Sequence, residues 1–453
     1  MKSRTKEIFI IISAVVVICS AVLLFLKSGI YNSYKAKELY KQAKKLSDQG
    51  QYRLSIIYYN QSIELDSSNA EAYYNRGVAY SRTGRSMKAI ADFKKDLKLN
   101  PEDYYADNYI GFVWHNLGND SIALKEYDKA LALHPDFLNA LLNKGVALSD
   151  MGKDSLATPE FRKALEQDAT DADDYYDLGS AHARLGEYGE AIDKFNISIS
   201  MNSNDAHAYN YRGYVLSEEG KDSVAILDFN RAISIEPDFE NAYFNRGISL
   251  CNLGKLEQAI TDFNRVIELT PKNAHAYNYR GYVLQKQDKD SLAILDFNKS
   301  IELDSNNSNT YFNRAVSYTN LWDLDNAIDD FCTSLDRDST DEHTYNYLGY
   351  TLRLYGDNKD ALAYFDAAIY YDSTFSNAYY NRAISLIEMG RTKAAIDDLT
   401  KAIELDPTDA DSFYQRGMLE FKNHNLEDAC ADMEDAADLG NSNAIKFREK
   451  HCE

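Results

Sequence analysis

The sequence predicts an all-α protein in which one amino-terminal transmembrane helix precedes a solenoid of helix-turn-helix repeats. Residues 36–443 divide into twelve consecutive repeats of 34 residues, with no insertion or deletion. Residues 8–26 form a run of nineteen residues without a charged side chain. A solenoid grows by adding neighbours that contact only one another, so a chain of 453 residues does not need one large core.

The amino-terminal run is long enough to cross a bilayer. Residues 1–7 form a tail with three basic side chains, and residues 8–26 would make a helix of about 28 Å, close to the hydrocarbon thickness. A cleavable signal peptide is the alternative, but the run lacks a clear cleavage site of small residues. We therefore expect a retained anchor, a single-pass membrane protein and a short linker at residues 27–35.

Two features of the sequence disagree on the side of the membrane on which the repeats lie. Both flanks of the apolar run are basic, and a count of their positive charges places the repeats in the cytoplasm. A short basic tail directly before an apolar run is, however, the layout of an export signal. We expect extracytoplasmic repeats, and cytoplasmic repeats remain the alternative.

Small and aromatic landmarks recur in every repeat. Position 8 is Gly or Ala, as in Gly77 and Gly281, and position 20 is Ala in all repeats but the first. Position 24 is aromatic in ten repeats, and position 15 is Gly in nine, as in Gly84. Small residues let two helices approach closely, aromatic rings fill the space between them, and Gly suits a helix end with positive φ. Each repeat is therefore predicted to be a pair of amphipathic helices.

A 34-residue period with these landmarks resembles the tetratricopeptide repeat. The resemblance covers about nine tenths of the chain, and it implies a right-handed superhelix. Its inner concave face would be formed by positions 2, 5, 6, 9, 12 and 13 of the first helices, and this face would bind partner polypeptides. Residues 444–453 are predicted to form a capping helix at the end of the stack.

Arginine and aspartate vary together at positions 7 and 23. Seven repeats carry both residues: Arg76 with Asp92, Arg212 with Asp228, Arg246 with Asp262, Arg280 with Asp296, Arg314 with Asp330, Arg382 with Asp398, and Arg416 with Asp432. Where position 7 is Leu178 or Leu348, position 23 is not acidic. We interpret these residues as structural ion pairs between the two helices of a repeat.

Polar and aromatic residues form a regular stripe on the predicted inner face. Residues 206–409 are three copies of a 68-residue double repeat. The candidate peptide-binding residues are Asn75, Asn143, His207, Tyr211, Tyr214, Asn245, His275, Tyr279, Tyr282, Asn313, His343, Tyr347, Tyr350 and Asn381. Amides can exchange hydrogen bonds with an extended peptide, and tyrosines add rigid contact area. The alternative is that the stripe only records recent duplication.

Composition and motifs exclude several classes of function. The net charge of −22 repels nucleic acid. The three histidines of the stripe lie two repeats apart, too far to share a metal ion. No cofactor motif or catalytic motif is present in the sequence, so we expect a non-enzymatic protein. The family clamp that binds acidic tails needs Lys and Arg at inner positions and Asn at positions 6 and 9. Here position 9 carries apolar or aromatic residues in most repeats and the cations are missing, which favours polar, neutral or basic segments.

The predicted partner is therefore an extended polypeptide, bound during assembly, targeting or export. A structural spacer or oligomerisation module without a peptide ligand is the alternative, and self-association remains open. Cys430 and Cys452 lie in the last repeat and its cap. They would form a disulfide in an oxidising compartment, or remain two unpaired cysteines.

Overall fold

A computed structural model describes residues 30–167 and 169–452. All regular secondary structure in these residues is helical. The chain divides into two compact parts, structural unit 1 (Met1–Val215) and structural unit 2 (Leu216–Glu453).

The first helices of structural unit 1 are α1 (30–48), α2 (Tyr52–Leu65), α3 (Ala70–Arg82), α4 (Ser86–Leu99), α5 (Tyr104–Asn116), α6 (Asp120–Leu133), α7 (Leu138–Asp150), α8 (Asp154–Leu165), α9 (Ala172–Arg184) and α10 (Tyr188–Met201). The division between the structural units falls in α11 (Ala206–Glu218).

Structural unit 2 continues with α12 (Asp222–Ile235), α13 (Glu240–Asn252), α14 (Leu256–Leu269), α15 (Ala274–Gln285), α16 (Asp290–Leu303), α17 (Ser308–Asn320), α18 (Leu324–Arg337), α19 (Glu342–Tyr355), α20 (Asn358–Tyr371), α21 (Ser376–Glu388), α22 (Thr392–Leu405), α23 (Ala410–Lys422), α24 (Leu426–Asp438) and α25 (Ser442–His451). The predicted two-helix repeat is confirmed, because odd-numbered helices up to α23 are first helices and even-numbered helices are second helices.

The predicted transmembrane helix lies outside the described residues, as does the basic tail. Within residues 30–167 and 169–452, no helix is both long and apolar enough to cross a membrane. The linker predicted for residues 27–35 is helical from residue 30 onward. At the other end, α25 occupies the place of the predicted cap, and its Ala444 is fully buried.

A disulfide joins the cap to the last repeat. Cys430 in α24 and Cys452, just after α25, form it with an S–S distance of 1.99 Å. Cys251 and Cys332 are free thiols, the first buried and the second exposed.

The two helices of a repeat cross where the small and aromatic landmarks meet. A Cβ atom added to Gly247 would lie 2.9 Å from the Phe263 ring, which is completely buried. Gly281 and Phe297 have the same relation, at 2.7 Å. Position 8 is therefore small because the position 24 ring occupies the space that a larger side chain would need.

The turn between the two helices requires a left-handed residue in every repeat. Nine repeats have Gly at position 15, with φ between 69° and 96°. The other three repeats place Asp288, Trp322 and His424 there, at φ values of 57°, 61° and 65°. A left-handed backbone disfavours a bulky side chain, so these three repeats keep the turn at an energetic cost.

Six of the predicted arginine–aspartate pairs are described as two-pronged hydrogen bonds. Arg314 Nε donates to Asp330 Oδ2 at 2.6 Å, and Nη2 donates to Oδ1 at 2.7 Å. The same arrangement occurs at Arg76, Arg246, Arg280, Arg382 and Arg416. These pairs join the first helix of a repeat to its second helix.

Each of these arginines also reaches the preceding repeat, which the sequence did not predict. Arg314 Nη1 donates to Asn298 Oδ1 at 2.5 Å. The equivalent acceptors are Asn60, Asn230, Asn264, Asp366 and Thr400. One guanidinium therefore stabilises three helices, because its planar fork has a third donor left after the aspartate is bound.

Two kinds of contact alternate between the first helices of consecutive repeats. In the aromatic kind, the rings of Phe312 and Tyr347 meet edge to face with centroids 5.3 Å apart. In the amide kind, Asn381 Nδ2 donates to Asn346 Oδ1 at 3.0 Å. Both kinds join position 5 of one repeat to position 6 of the next.

These paired contacts explain the 68-residue alternation by packing. Within structural unit 2, aromatic contacts join Phe244 to Tyr279 and Phe312 to Tyr347, and amide contacts join Asn278 to Asn313 and Asn346 to Asn381. Structural unit 1 has the same two kinds, with Tyr74 against Tyr109 and Asn108 against Asn143. A residue at position 5 must match its partner in the next repeat, so two neighbouring repeats vary together.

The left-handed turn predicts that Trp322→Gly stabilises the protein. The indole is 68% exposed, so its removal loses little packing, and relief of the left-handed backbone should contribute about 1 kcal/mol. The midpoint of thermal unfolding should rise. Leu321→Gly is the matched control, because Leu321 is also exposed but has φ of −87°, and this change should lower the midpoint. A lower midpoint for Trp322→Gly would contradict the prediction.

The alternation predicts that an amide contact can be converted into an aromatic one. Asn346→Phe and Asn381→Tyr should each destabilise the fold, because each leaves an amide without its partner. The double variant should recover at least about 0.5 kcal/mol relative to the sum of the two single changes. Denaturant unfolding of all four proteins measures this coupling, and simple additivity would show that the two positions do not depend on each other.

Candidate functional site

A cavity of about 840 Å³ lies within structural unit 1. We call it the tyrosine cavity, because it is lined by Tyr74, Tyr105, Tyr109, Tyr176, Tyr211 and Tyr214. These residues come from the first helices of successive repeats, which face the same side because the 34-residue period returns each position to an equivalent place. Polar groups lie between the rings, including Asn108, Asn139, Asn143 and Ser180.

Neighbouring aromatic side chains hold several of these rings. The Tyr109 ring stacks on Phe93 at 5.5 Å and meets the edge of Tyr74 at 5.7 Å. Tyr176 and Tyr211 make the equivalent edge contact at 5.4 Å. Burial raises the pKa of Tyr74 and Tyr176, so both phenols stay protonated at neutral pH. The cavity wall is therefore a set of neutral rings in fixed positions.

The tyrosine cavity lies where the alternation of contacts is interrupted. Leu142 occupies position 5 of one repeat and Asp177 occupies position 6 of the next, so this junction has neither the aromatic nor the amide pair. Both residues line the cavity. Burial first, and then the charge of Asp173, raise the pKa of Asp177 to about 7. An unmatched junction thus leaves space and an ionisable group on the inner face.

Two arginines also line the tyrosine cavity. Arg184 Nη1 lies 3.3 Å from Asp150 Oδ1, whereas Arg82 joins none of the ion pairs found in the described residues. Both arginines occupy position 13, which the family resemblance assigns to the inner face. The expectation that the inner face lacks cations is therefore wrong for structural unit 1. It failed because it rested on position 9 alone.

A second cavity, of about 440 Å³, shares Tyr74 and Tyr105 with the first. We call it the Asp96 cavity, and its other charged lining residues are Lys44, Glu71 and Asp103. Only 1% of Asp96 is exposed, and its Oδ2 atom has no hydrogen-bond partner. Burial and the nearby Asp103 raise the pKa of Asp96 to about 7.

The structure brings four of the predicted peptide-binding residues to these cavities. Asn143, Tyr211 and Tyr214 line the tyrosine cavity, and Asn75 lines the Asp96 cavity. His207 is exposed and Asn245 is half-buried. In structural unit 2, Tyr279, Asn313, Tyr347 and Asn381 contact neighbouring repeats in the aromatic and amide pairs.

The remaining predicted residues have other surroundings. The Tyr282 ring lies 4.9 Å from Lys286 Nζ, and the Tyr350 ring lies 5.2 Å from Arg353. His275 is exposed. His343 is also exposed, and its Nδ1 lies 3.0 Å from Glu342.

Sequence reasoning did not single out Tyr105, Arg82, Arg184, Asp96 or Asp177. It searched for regular features, whereas several of these residues are departures from the repeat. Asp177 is the only acidic residue at position 6, and Asp96 is the only one at position 27. A comparison of each position across the twelve repeats could have found both carboxyl groups.

Family models match several stretches of the chain. Those described as "TPR repeat" match residues 43–84 and 249–288, and those described as "Tetratricopeptide repeat" match residues 70–103, 176–238, 229–261, 376–409 and 399–431. No curated protein matches the chain.

Solved structures are similar to this chain at low sequence identity. The Cut9–Hcn1 hetero-tetramer of the APC/C gives a TM-score of 0.52 at 14% identity, with 95% of this chain and 99% of that chain covered. Yeast Tom70 gives 0.46 at 19% identity, covering 92% and 95%. YrrB, a TPR protein with an unusual peptide-binding site, gives 0.34 at 22% identity, covering 41% and 95%.

The family matches together cover about half of the chain, and they fall on the 34-residue repeats that the structure resolves into helix pairs. The chain therefore belongs to the tetratricopeptide repeat family.

Proposed function

We propose that this protein is a non-enzymatic, membrane-anchored scaffold that holds an extended polypeptide segment in the tyrosine cavity. The observation that carries the proposal is the cavity itself, in which six tyrosines and three asparagines converge from successive first helices. Family membership supports a role in binding other proteins. Membrane attachment through residues 8–26 rests on the sequence.

The cavity wall suits a peptide backbone. Amide side chains both donate and accept hydrogen bonds, so the exposed Asn139 can pair with the N–H and C=O groups of an extended chain. Asn108 and Asn143 bond to each other and offer only their remaining donor and acceptor sites. Tyrosine rings offer large contact areas with few rotatable bonds, which limits the entropy lost on binding. Arg82 supplies a positive charge, and Asp177 supplies a carboxyl group whose pKa is raised to about 7, so they favour a segment that carries both polar and charged residues.

A spacer function is favoured for structural unit 2. Its inner asparagines and tyrosines contact each other between repeats, as Asn278 and Asn313 do. Structural unit 1 has such pairs too, but it also has the unmatched junction of Leu142 and Asp177. These side chains have fewer hydrogen-bonding groups left for a ligand. We propose that structural unit 2 sets the distance between the binding site and other parts of an assembly.

The disulfide supports an extracytoplasmic location for the repeats. Disulfides persist in oxidising compartments and are rare in a reducing cytoplasm. Together with the export-like amino terminus, the Cys430–Cys452 bond favours repeats that face away from the cytoplasm.

The binding proposal predicts that exposed residues of the tyrosine cavity are needed to capture the partner. The triple variant Tyr105→Ala, Asn139→Ala, Tyr214→Ala should lower recovery of crosslinked partner from native membranes by about tenfold or more. Each lost contact is worth about 0.5–1.5 kcal/mol. Mass spectrometry after crosslinking in native membranes measures the recovery.

The matched control is His275→Ala, Tyr282→Ala, Asn309→Ala, which changes the same repeat positions in structural unit 2. It should leave recovery unchanged, and circular dichroism should show that both variants are folded. Loss of the partner with the control variant alone would contradict the proposed site and favour the predicted stripe of structural unit 2.

The location proposal predicts the thiol state of the chain in cells. Acid quenching followed by alkylation with a mass-tagged maleimide should label Cys251 and Cys332 under denaturing conditions. Cys430 and Cys452 should be labelled only after reduction. If all four residues are labelled without reduction, the repeats face a reducing compartment and the cytoplasmic alternative holds.

A further inference from the structure

Asp96 departs from a rule that the other repeats obey. It occupies position 27, on the face of the second helix that packs inside the stack. The other eleven repeats have small or apolar residues there: Ser62, Ala130, Ala164, Ser198, Ala232, Val266, Ser300, Ser334, Ala368, Ala402 and Ala436. All eleven are no more than 2% exposed, and Asp96 is equally buried at 1%. A carboxyl group therefore lies where the fold itself needs a small side chain.

One oxygen of this carboxyl group has no protein partner, although Asp103 lies close enough to accept a hydrogen bond from the protonated group. Asp96 Oδ2 has no hydrogen-bond partner, and Asp96 takes part in none of the ion pairs of residues 30–167 and 169–452. Its acidic neighbours are already engaged. Asp103 accepts hydrogen bonds from the backbone N–H groups of Tyr105 and Ala106, at 3.0 Å and 3.2 Å. Glu71 lies 3.9 Å from Lys44 Nζ. A buried carboxyl oxygen without a partner is costly, which suggests that a ligand supplies the missing partner of Asp96 Oδ2.

The cavity around Asp96 has the chemistry of a cation site. Three carboxyl groups line it against one basic side chain, Lys44, and the rings of Tyr74 and Tyr105 add faces that attract cations. Its volume of about 440 Å³ is far larger than a metal ion needs. In the described part of the chain, the one group of three metal-ligand side chains within coordinating distance is Asp341, Glu342 and His343, so these carboxyl groups do not form a metal cluster.

We propose that the Asp96 cavity binds a lysine or arginine side chain of the bound polypeptide. This inference rests on the proposed function, because the Asp96 cavity shares Tyr74 and Tyr105 with the tyrosine cavity. A segment in the tyrosine cavity can thus place a neighbouring side chain beside Asp96. The ammonium or guanidinium donates to the Asp96 carboxylate, and the tyrosine rings contact its aliphatic stem.

Small probes test the site without the partner. Saturation-transfer NMR on the full-length chain in detergent would compare Nα-acetyl-lysine methylamide, Nα-acetyl-arginine methylamide and the uncharged Nα-acetyl-norleucine methylamide. We expect transfer to the lysine probe, the arginine probe or both, and the stronger signal identifies the preferred cation. Asp96→Ala should reduce this transfer about tenfold, whereas Glu102→Ala, which removes an exposed carboxylate nearby, should not.

Equal transfer to the norleucine probe, or unchanged transfer in Asp96→Ala, would overturn the proposal. Failure of the inference is distinguishable from failure of the proposed function. Partner capture that depends on the tyrosine cavity, without probe binding at Asp96, removes only the inference. Probe binding that depends on Asp96, without partner capture, removes only the proposed function.

Stability supplies a second readout. Asp96→Ala installs the residue that six other repeats have at position 27, so the variant should fold and unfold at a higher temperature. The groups that face Asp96 are Lys44 of α1, Glu71 and Tyr74 of α3, and Asp103 and Tyr105 at the start of α5. A lower unfolding temperature for Asp96→Ala would show that a protein group already stabilises the carboxyl group, and would overturn the proposal.

The pH dependence has a defined sign. The pKa of Asp96 is about 7 in the folded chain and 3.8 in its ordinary state, so between these values the folded chain binds more protons than the unfolded chain. The contribution of Asp96 to stability should therefore fall as pH rises from about 4 to about 7. The advantage of Asp96→Ala should be larger at pH 8 than at pH 5, and a constant advantage would contradict a buried carboxyl group that titrates there.

Discussion

The stack depends on one guanidinium in each typical repeat. An arginine at position 7 binds the aspartate of its own repeat with two parallel hydrogen bonds and an acceptor of the preceding repeat with a third, as Arg280 does with Asp296 and Asn264. Its planar donor geometry makes the three bonds simultaneously. One repeat has Lys144 at position 7 in place of arginine. Its Nζ atom lies 3.0 Å from Glu160 of its own repeat and 2.9 Å from Asp128 of the preceding repeat. The lysine still pairs with both carboxylates, but it cannot make the two parallel hydrogen bonds of a guanidinium.

Sequence periodicity predicted the helix pairs because their determinants are local. The small residue at position 8, the position 24 ring and the left-handed position 15 lie within one repeat, so most of the twelve repeats show the same pattern again. The third donor of each arginine and the contact between Asn278 and Asn313 were not predicted, because they join residues of different repeats. Asn278 and Asn313 are 35 residues apart, and the sequence does not show that they are in contact unless the stacking of successive first helices is known.

Part of the candidate site was not predicted from the sequence, for a related reason. Regular residues were taken as the binding stripe, but regular neighbours satisfy one another, as Phe312 and Tyr347 do. A complementary pair leaves little space and few free hydrogen-bonding groups. Space opens where the pairing breaks, at Leu142 and Asp177, and both residues line the tyrosine cavity. In this chain, the irregular junction therefore coincides with the tyrosine cavity, whereas the repeated pairs of structural unit 2 fill the space between their repeats.

A nearest-neighbour architecture also explains how the chain tolerates Asp96. In a single globular core, an unpaired buried carboxyl group would weaken the whole cooperative structure. In a stack, each repeat contacts only its neighbours, so the cost is confined to the contacts around α4. The repeats on either side keep their own cores, with Tyr59 and Tyr127 completely buried. Selection for stability alone would replace Asp96, but the local cost lets it persist if it serves binding. The difference between Asp96 and the residues at position 27 of the eleven other repeats is therefore a reason to expect a ligand.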